Sequence, residues 1–173
     1  RYDKNEFHGP TLNYFTLIAA KLTGAANFRQ VNETTLRIVP VGFGTALILL
    51  LLLLCEGLGG TAAIAAGVLT AISPAMVYYS RYYIQEMLLV FFTAALIASG
   101  YRYFQSKSIT WAVLAGAFAG LMYATKETCI IAFGAMLLAL LLVIFTDKTG
   151  EIRNTIKTGL WHIVAAICAA GAI

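Results

Sequence analysis

Apolar runs about as long as a bilayer is thick divide this chain, and they limit its folds more than any other feature. A spanning helix needs ~20 mostly apolar residues. Residues 38–55 meet this, with an unbroken leucine block at 49–54, and so do residues 60–79, 87–104 and 128–146. Residues 109–124 form a shorter, strongly apolar run, and a sixth run opens at 159 and is still apolar at 173. Continuous apolar character fits helices covered by lipid or by each other. Barrel strands would instead alternate apolar and polar residues over about ten positions. The expected fold is all-α, a polytopic transmembrane helix bundle over residues 38–173 with about six spans, the last truncated. Composition agrees: the chain is 60% hydrophobic and 12% charged, against about 25% charged for soluble domains.

Residues 1–37 differ and are read as an exterior loop. Within them, residues 11–26 are too short to span. Leu12, Phe15, Ile18, Ala19 and Leu22 recur there at helical spacing, with Asn13, Thr16 and Lys21 between them. This predicts an N-terminal amphipathic helix, either lying in the membrane interface or packed on the spans as a loop helix. Pro40 is expected in the opening turn of the first span. Ser73-Pro74 is expected to bend or end the second. Gly116 and Gly120 are spaced to let a neighbouring helix approach closely. With no initiator methionine or signal peptide, and a last run that stops while apolar, the chain reads as a piece of a larger polytopic protein.

The net charge of +4 is modest and its basic residues are scattered, so nucleic acid is not an expected partner. Cys55, Cys129 and Cys168 all lie in apolar runs. Their spacing supports neither a disulfide framework nor a metal cluster, and they read as small packing residues. No Gly-rich phosphate loop, nucleophile elbow or HExxH is present. Charges inside the spans are nearly absent, unlike ion pumps or voltage sensors.

Alternating spans place residues 1–37, the turn at 80–86 and the turn at 125–127 on one face. The turn at 56–59 and the loops at 101–110 and 147–158 share the other. Among connecting turns, the second face carries Arg102, Lys107, Lys148, Arg153 and Lys157, and the first only Arg81 and Lys126. The positive-inside tendency makes the second face cytoplasmic. The N-terminal segment runs against it with Arg1, Lys4, Lys21, Arg29 and Arg37, although long loops obey the tendency poorly. Most of the unusual polar groups, among them Asp3, Glu6, His8, Arg37, Arg81, Gln85, Glu86, Lys126 and Glu127, then fall on the exterior face.

Ser80-Arg81-Tyr82-Tyr83-Ile84-Gln85-Glu86 stands between two apolar runs, and ionisable groups so close to hydrocarbon are costly. Glu86 can be a helix-start carboxylate favoured by the macrodipole, or a partner of Arg81. It can equally activate a hydroxyl nucleophile or hold a divalent cation. Lys126, in Thr125-Lys126-Glu127, is either a solvated helix-end charge or a point charge for a substrate phosphate. His8 sits within five residues of Asp3 and two of Glu6, at the edge of a polar pocket with no metal spacing. Tyr78, Tyr79, Tyr82 and Tyr83 flank Arg81 as an interfacial aromatic belt or a stacking surface.

Taken in order, His8-Gly9-Pro10-Thr11-Leu12 with Tyr14, then Arg37-Ile38-Val39-Pro40, Ser73-Pro74, Tyr79-Ser80-Arg81 with Glu86, and Ala124-Thr125-Lys126-Glu127 resemble the GT-C superfamily of membrane glycosyltransferases. The pattern is most similar to the protein mannosyltransferase and aminoarabinose transferase branch, and within it to a prokaryotic subgroup associated with lipid-sugar flippase activity. The resemblance implies transfer of a sugar from a polyprenyl-phosphate-linked donor to an acceptor protein or glycolipid. The site would lie on the exterior face of an integral protein of the prokaryotic cell membrane, in contact with membrane lipid. It implies a catalytic role for Glu86, with a divalent metal ion as an optional companion. Arg81, Lys126 and His8 would form the substrate-binding set, the first two on the substrate phosphate and His8 in an architectural role. A further acid of the first exterior loop is expected upstream of Arg1, so this piece by itself is expected to be inactive. The alternatives are a non-catalytic lipid-linked-sugar flippase or its accessory, and a purely structural helical scaffold.

Overall fold

Asn32 starts the first long helix. Its backbone is extended (φ −102°, ψ 172°), its Oδ1 accepts from the Thr35 N–H at 2.9 Å, and Glu33 follows in the first turn. These groups satisfy an orphan donor of the helix start and suit its dipole. The computed structural model describes residues 9–24 and 30–146; His8, Asp3, Glu6, Cys168, the loop at 147–158 and the sixth run lie outside them. The described helices are α1 (Thr11–Leu22), α2 (Glu33–Leu50), α3 (Cys55–Leu58), α4 (Gly60–Ile72), α5 (Pro74–Arg81), α6 (Glu86–Ser106), α7 (Ile109–Thr125) and α8 (Cys129–Thr146). The fold is all-α, as expected, with no strand among the described residues.

The chain divides into two units, Arg1–Cys129 and Ile130–Ile173. In the first, a 3₁₀ turn at Leu51–Leu54 joins α2 to α3, so Glu33–Leu58 makes one apolar rod of 26 residues. The 21 residues of α6 extend ~31 Å at 1.5 Å each, matching a hydrocarbon core ~30 Å thick. In the second unit, α8 contributes 18 residues, also long and apolar enough to cross.

Pro74 behaves as anticipated. Ser73 is extended (φ −61°, ψ 120°), as the residue before a proline prefers, and α4 and α5 meet there at a 58° bend. Pro40 does not. It is buried in the interior of α2 rather than in an opening turn. The helix begins earlier than the apolar run because Asn32 caps it, and the charges that resembled loop are an ion pair one turn apart, Arg37 with Glu33. Pro40 has no N–H to donate to the Leu36 carbonyl one turn before it, a local weakness within an otherwise regular rod.

α1 is amphipathic as expected but ends at Leu22. It packs on α2, burying Thr11, Leu12, Ala19 and Ala20. Phe15, Ile18, Ala19 and Leu22 line an open apolar groove of about 480 Å³ against Ile38, Val39 and Phe43. Below it α1, α2, α6 and α7 converge on a cluster of rings. Phe43 stands edge-on to Phe15 at 4.9 Å and to Phe91 at 5.1 Å, and Phe92 stacks on Phe118 at 6.3 Å.

Lipid removes most of the hydrophobic drive between apolar helices, so close contact must come from small residues. Gly116 and Gly120 do not supply it, because a Cβ at either would meet nothing within 4 Å among the described residues. Gly44 does: a Cβ there would lie 2.8 Å from Cβ of Ser80, where α2 crosses α5. Gly44→Leu is expected to force these helices apart and cost on the order of 1–3 kcal/mol. Thermal unfolding in detergent would read this as a lowered midpoint, and an unchanged midpoint would show that the crossing yields freely.

The ends of the bundle differ in charge. At one end Glu56, in α3, pairs with Arg102 of α6 at 3.0 Å, with Lys107 over the Phe104 ring. At the other end lie Arg81, Glu86 and Lys126.

Candidate active site

Two helix ends build this site. Tyr82 leaves helical geometry (φ −100°, ψ 136°) and stops α5, and four residues later α6 opens with Glu86 in its first turn. A short loop at the far end turns the chain into α7, which returns antiparallel to α6 and stops at Thr125, with Lys126 extended (φ −159°, ψ 138°). A carboxylate thus stands at a positive helix end and an ammonium at a neighbouring negative one, each favoured by its own dipole. They meet: Lys126 Nζ donates to Glu86 Oε1 at 2.5 Å. The Lys126 side chain is 20% exposed and that of Glu86 40%.

This pairing differs from the simpler sequence readings. Glu86 binds Lys126 from another helix, rather than only serving its own helix start or Arg81. Lys126 turns inward, whereas neighbouring Glu127 is exposed. Arg81 ends α5 exposed, and its side chain makes no ion pair or hydrogen bond among the described residues. Beside it Tyr78 stacks on Tyr82 at 5.4 Å, both exposed. Tyr83 leaves this group, and its hydroxyl meets Thr16 Oγ1 of α1 at 2.7 Å.

The start of α1 completes the arrangement. A helix leaves its last carbonyls without intrahelical partners. At the end of α7 these include Ala124 and Thr125, and the chain at the start of α1 supplies donors. Gly9 N–H donates to Thr125 O at 3.1 Å, and Thr11 Oγ1 donates to Ala124 O at 2.7 Å. Gln85 Nε2 donates to Gly9 O at 3.0 Å. The backbones approach so closely that a Cβ on Gly9 would lie 1.7 Å from Ala124 O. His8 lies outside the described residues. Gly9, Thr11 and Gln85 were not singled out as site residues from sequence. The signal available was the Gly-Pro pair before a helix, and it does not name the distant carbonyls that require it.

No group of three or more His, Cys, Asp or Glu able to hold a metal occurs among the described residues. A dication at Glu86 would also face the Lys126 ammonium across 2.5 Å. The described residues therefore do not fit a divalent metal, and a charged lysine already occupies the role such an ion would play at this carboxylate.

The arrangement is a carboxylate, an ammonium and a guanidinium at one end of an apolar bundle, next to a segment held by backbone hydrogen bonds. That suits an anionic group on a membrane-borne molecule and a hydroxyl reacting beside it. No curated protein and no solved structure matches the chain. The family model of the dolichyl-phosphate-mannose-protein mannosyltransferases matches residues 7–173. With nearly its whole length matched and its helices apolar enough to cross a bilayer, the chain belongs to the dolichyl-phosphate-mannose-protein mannosyltransferase family, integral membrane glycosyltransferases of the GT-C type.

Proposed function

We propose that the protein moves a sugar from a polyprenyl-phosphate-linked donor to an acceptor protein or glycolipid at the exterior face of a prokaryotic cell membrane. The observation that carries this reading is the Glu86–Lys126 pair, 2.5 Å long, at the shared end of α6 and α7. In a displacement at the anomeric carbon, the acceptor hydroxyl oxygen forms the new bond. The bond to phosphate breaks, and the leaving phosphate keeps its electron pair. The hydroxyl proton passes to a carboxylate, for which an acid of the first exterior loop is the expected base. Glu86 accepts a hydrogen bond from the hydroxyl and orients it. Lys126 and the exposed Arg81 offset charge on the departing phosphate, and such fixed charges act strongly where water is excluded. His8 remains a substrate-site candidate on the sequence resemblance alone. The exterior assignment is supported by Arg102 and Lys107 at the opposite end, consistent with a cytoplasmic excess of positive charge.

The test is transfer by the full-length protein in proteoliposomes supplied with radiolabelled dolichyl-phosphate mannose and other polyprenyl-phosphate sugars. Label reaching an acceptor supports the reading. Label that crosses the bilayer while remaining lipid-linked would replace it with the flippase alternative.

A further inference from the structure

Three chain segments close a ring around the candidate site. Gly9 N–H reaches Thr125 O at 3.1 Å, the adjacent Lys126 Nζ reaches Glu86 Oε1 at 2.5 Å, and the adjacent Gln85 Nε2 returns to Gly9 O at 3.0 Å. Each segment contributes neighbouring groups, so two segments fix the third. Two of the links follow from general tendencies. A helix end seeks donors for its carbonyls, and opposite charges at antiparallel helix ends attract. The Gln85 link follows from neither. It needs an uncharged donor at the one position immediately before α6, long enough to reach the backbone of the first segment.

We propose that Gln85 is a positioning residue of the transfer site: its amide holds the Gly9 segment in register with Glu86, and so holds the first exterior segment over the reacting groups. The inference rests on the transferase reading above. The chemistry of the amide makes it specific. Its donor end is committed to a carbonyl, and its Oε1 is buried with no hydrogen-bond partner among the described residues. A carboxylate of the same size would turn oxygen against the Gly9 carbonyl, where only a donor is accepted. An apolar side chain of similar length would fill the space and leave Gly9 untied. A shift of about 1 Å in a reacting group costs up to ~100-fold in rate, so a lost tie shows in turnover before it shows in donor binding.

The experiment measures Gln85→Met and Gln85→Glu in the full-length protein in proteoliposomes, with dolichyl-phosphate mannose as donor probe and hydrogen exchange read over the peptide containing Gly9–Thr11. Both variants are expected to lose about tenfold or more in kcat with KM for the donor within about twofold. The Glu variant should fall further than the Met variant, and both should exchange faster at the Gly9 segment. Wild-type kcat in Gln85→Met, a loss confined to KM, or unchanged exchange overturns the proposal. Failure of both variants, and of the more conservative Gln85→Asn, to accumulate folded protein also overturns it, since that marks a folding role. If the wild-type protein transfers no sugar, the transferase reading falls, and exchange at the Gly9 segment alone decides whether Gln85 is the tie.

Discussion

Glu86→Ala is expected to lower sugar transfer by ~10²-fold or more while leaving the amount of folded protein in the membrane unchanged. The two halves have different causes. The carboxylate is 40% exposed and its ion pair with Lys126 spans two helix ends. A partly exposed pair contributes on the order of 1 kcal/mol net, too little for its loss to unfold a bundle held by Phe92, Leu88 and Met122, all buried. The chemical cost is larger, because nothing else described at this end offers a carboxylate in contact with Lys126. Glu86→Gln separates the effects further. It keeps a hydrogen bond to Lys126 and loses the charge, so it should retain expression and share the loss of transfer. Reversing the pair, with Glu86→Lys and Lys126→Glu together, keeps an ion pair but sets each charge against its helix dipole, and it should not restore transfer. Wild-type transfer rates in Glu86→Ala would remove this residue from the site.

Gly9→Ala should be the second severe change, although it adds only a methyl group. The new Cβ would sit 1.7 Å from Ala124 O and 2.5 Å from Ala124 C, both backbone atoms at a helix end. A flexible side chain could swing away from such a contact; a helix terminus cannot. The Gly9 segment must lift, and with it go the bonds to Thr125, Ala124 and Gln85. Transfer is expected to fall by ~10–100-fold, the scale of a group displaced by about 1 Å. Gly100→Ala is the control. It lies inside α6, where a Cβ meets nothing within 4 Å, and alanine there favours the helix by roughly 0.5–1 kcal/mol. Equal transfer in the two variants would show that the close approach at Gly9 does not matter.

The helices themselves were legible in the sequence because lipid-length apolar runs have few other folds available. The bend at Ser73-Pro74 was legible for a similar reason, since proline restricts both itself and the residue before it. Pro40 was misplaced because hydropathy marks where the apolar run begins, whereas Asn32 and the Glu33–Arg37 pair start the helix five residues before it. Glu86, Arg81 and Lys126 stood out as charges out of place. That Glu86 would pair with Lys126 and not Arg81 was not legible, because the partners are 40 residues apart and meet only through the return of α7 beside α6. The contact at Gly9 is further from view still. It depends on where two carbonyls of another helix point, and no local pattern carries that.

The bond from Thr11 to Ala124 spans 113 residues of sequence. During synthesis, α1 emerges first and waits while every helix from α2 to α7 is made. At 5–20 residues per second that interval is roughly 6–23 s. Until α7 is complete, the carbonyls that anchor Gly9 and the lysine that pairs with Glu86 do not exist. The end that joins Gly9, Glu86 and Lys126 is therefore the last part of this unit to be assembled, and a nascent chain interrupted at any earlier span would lack these contacts.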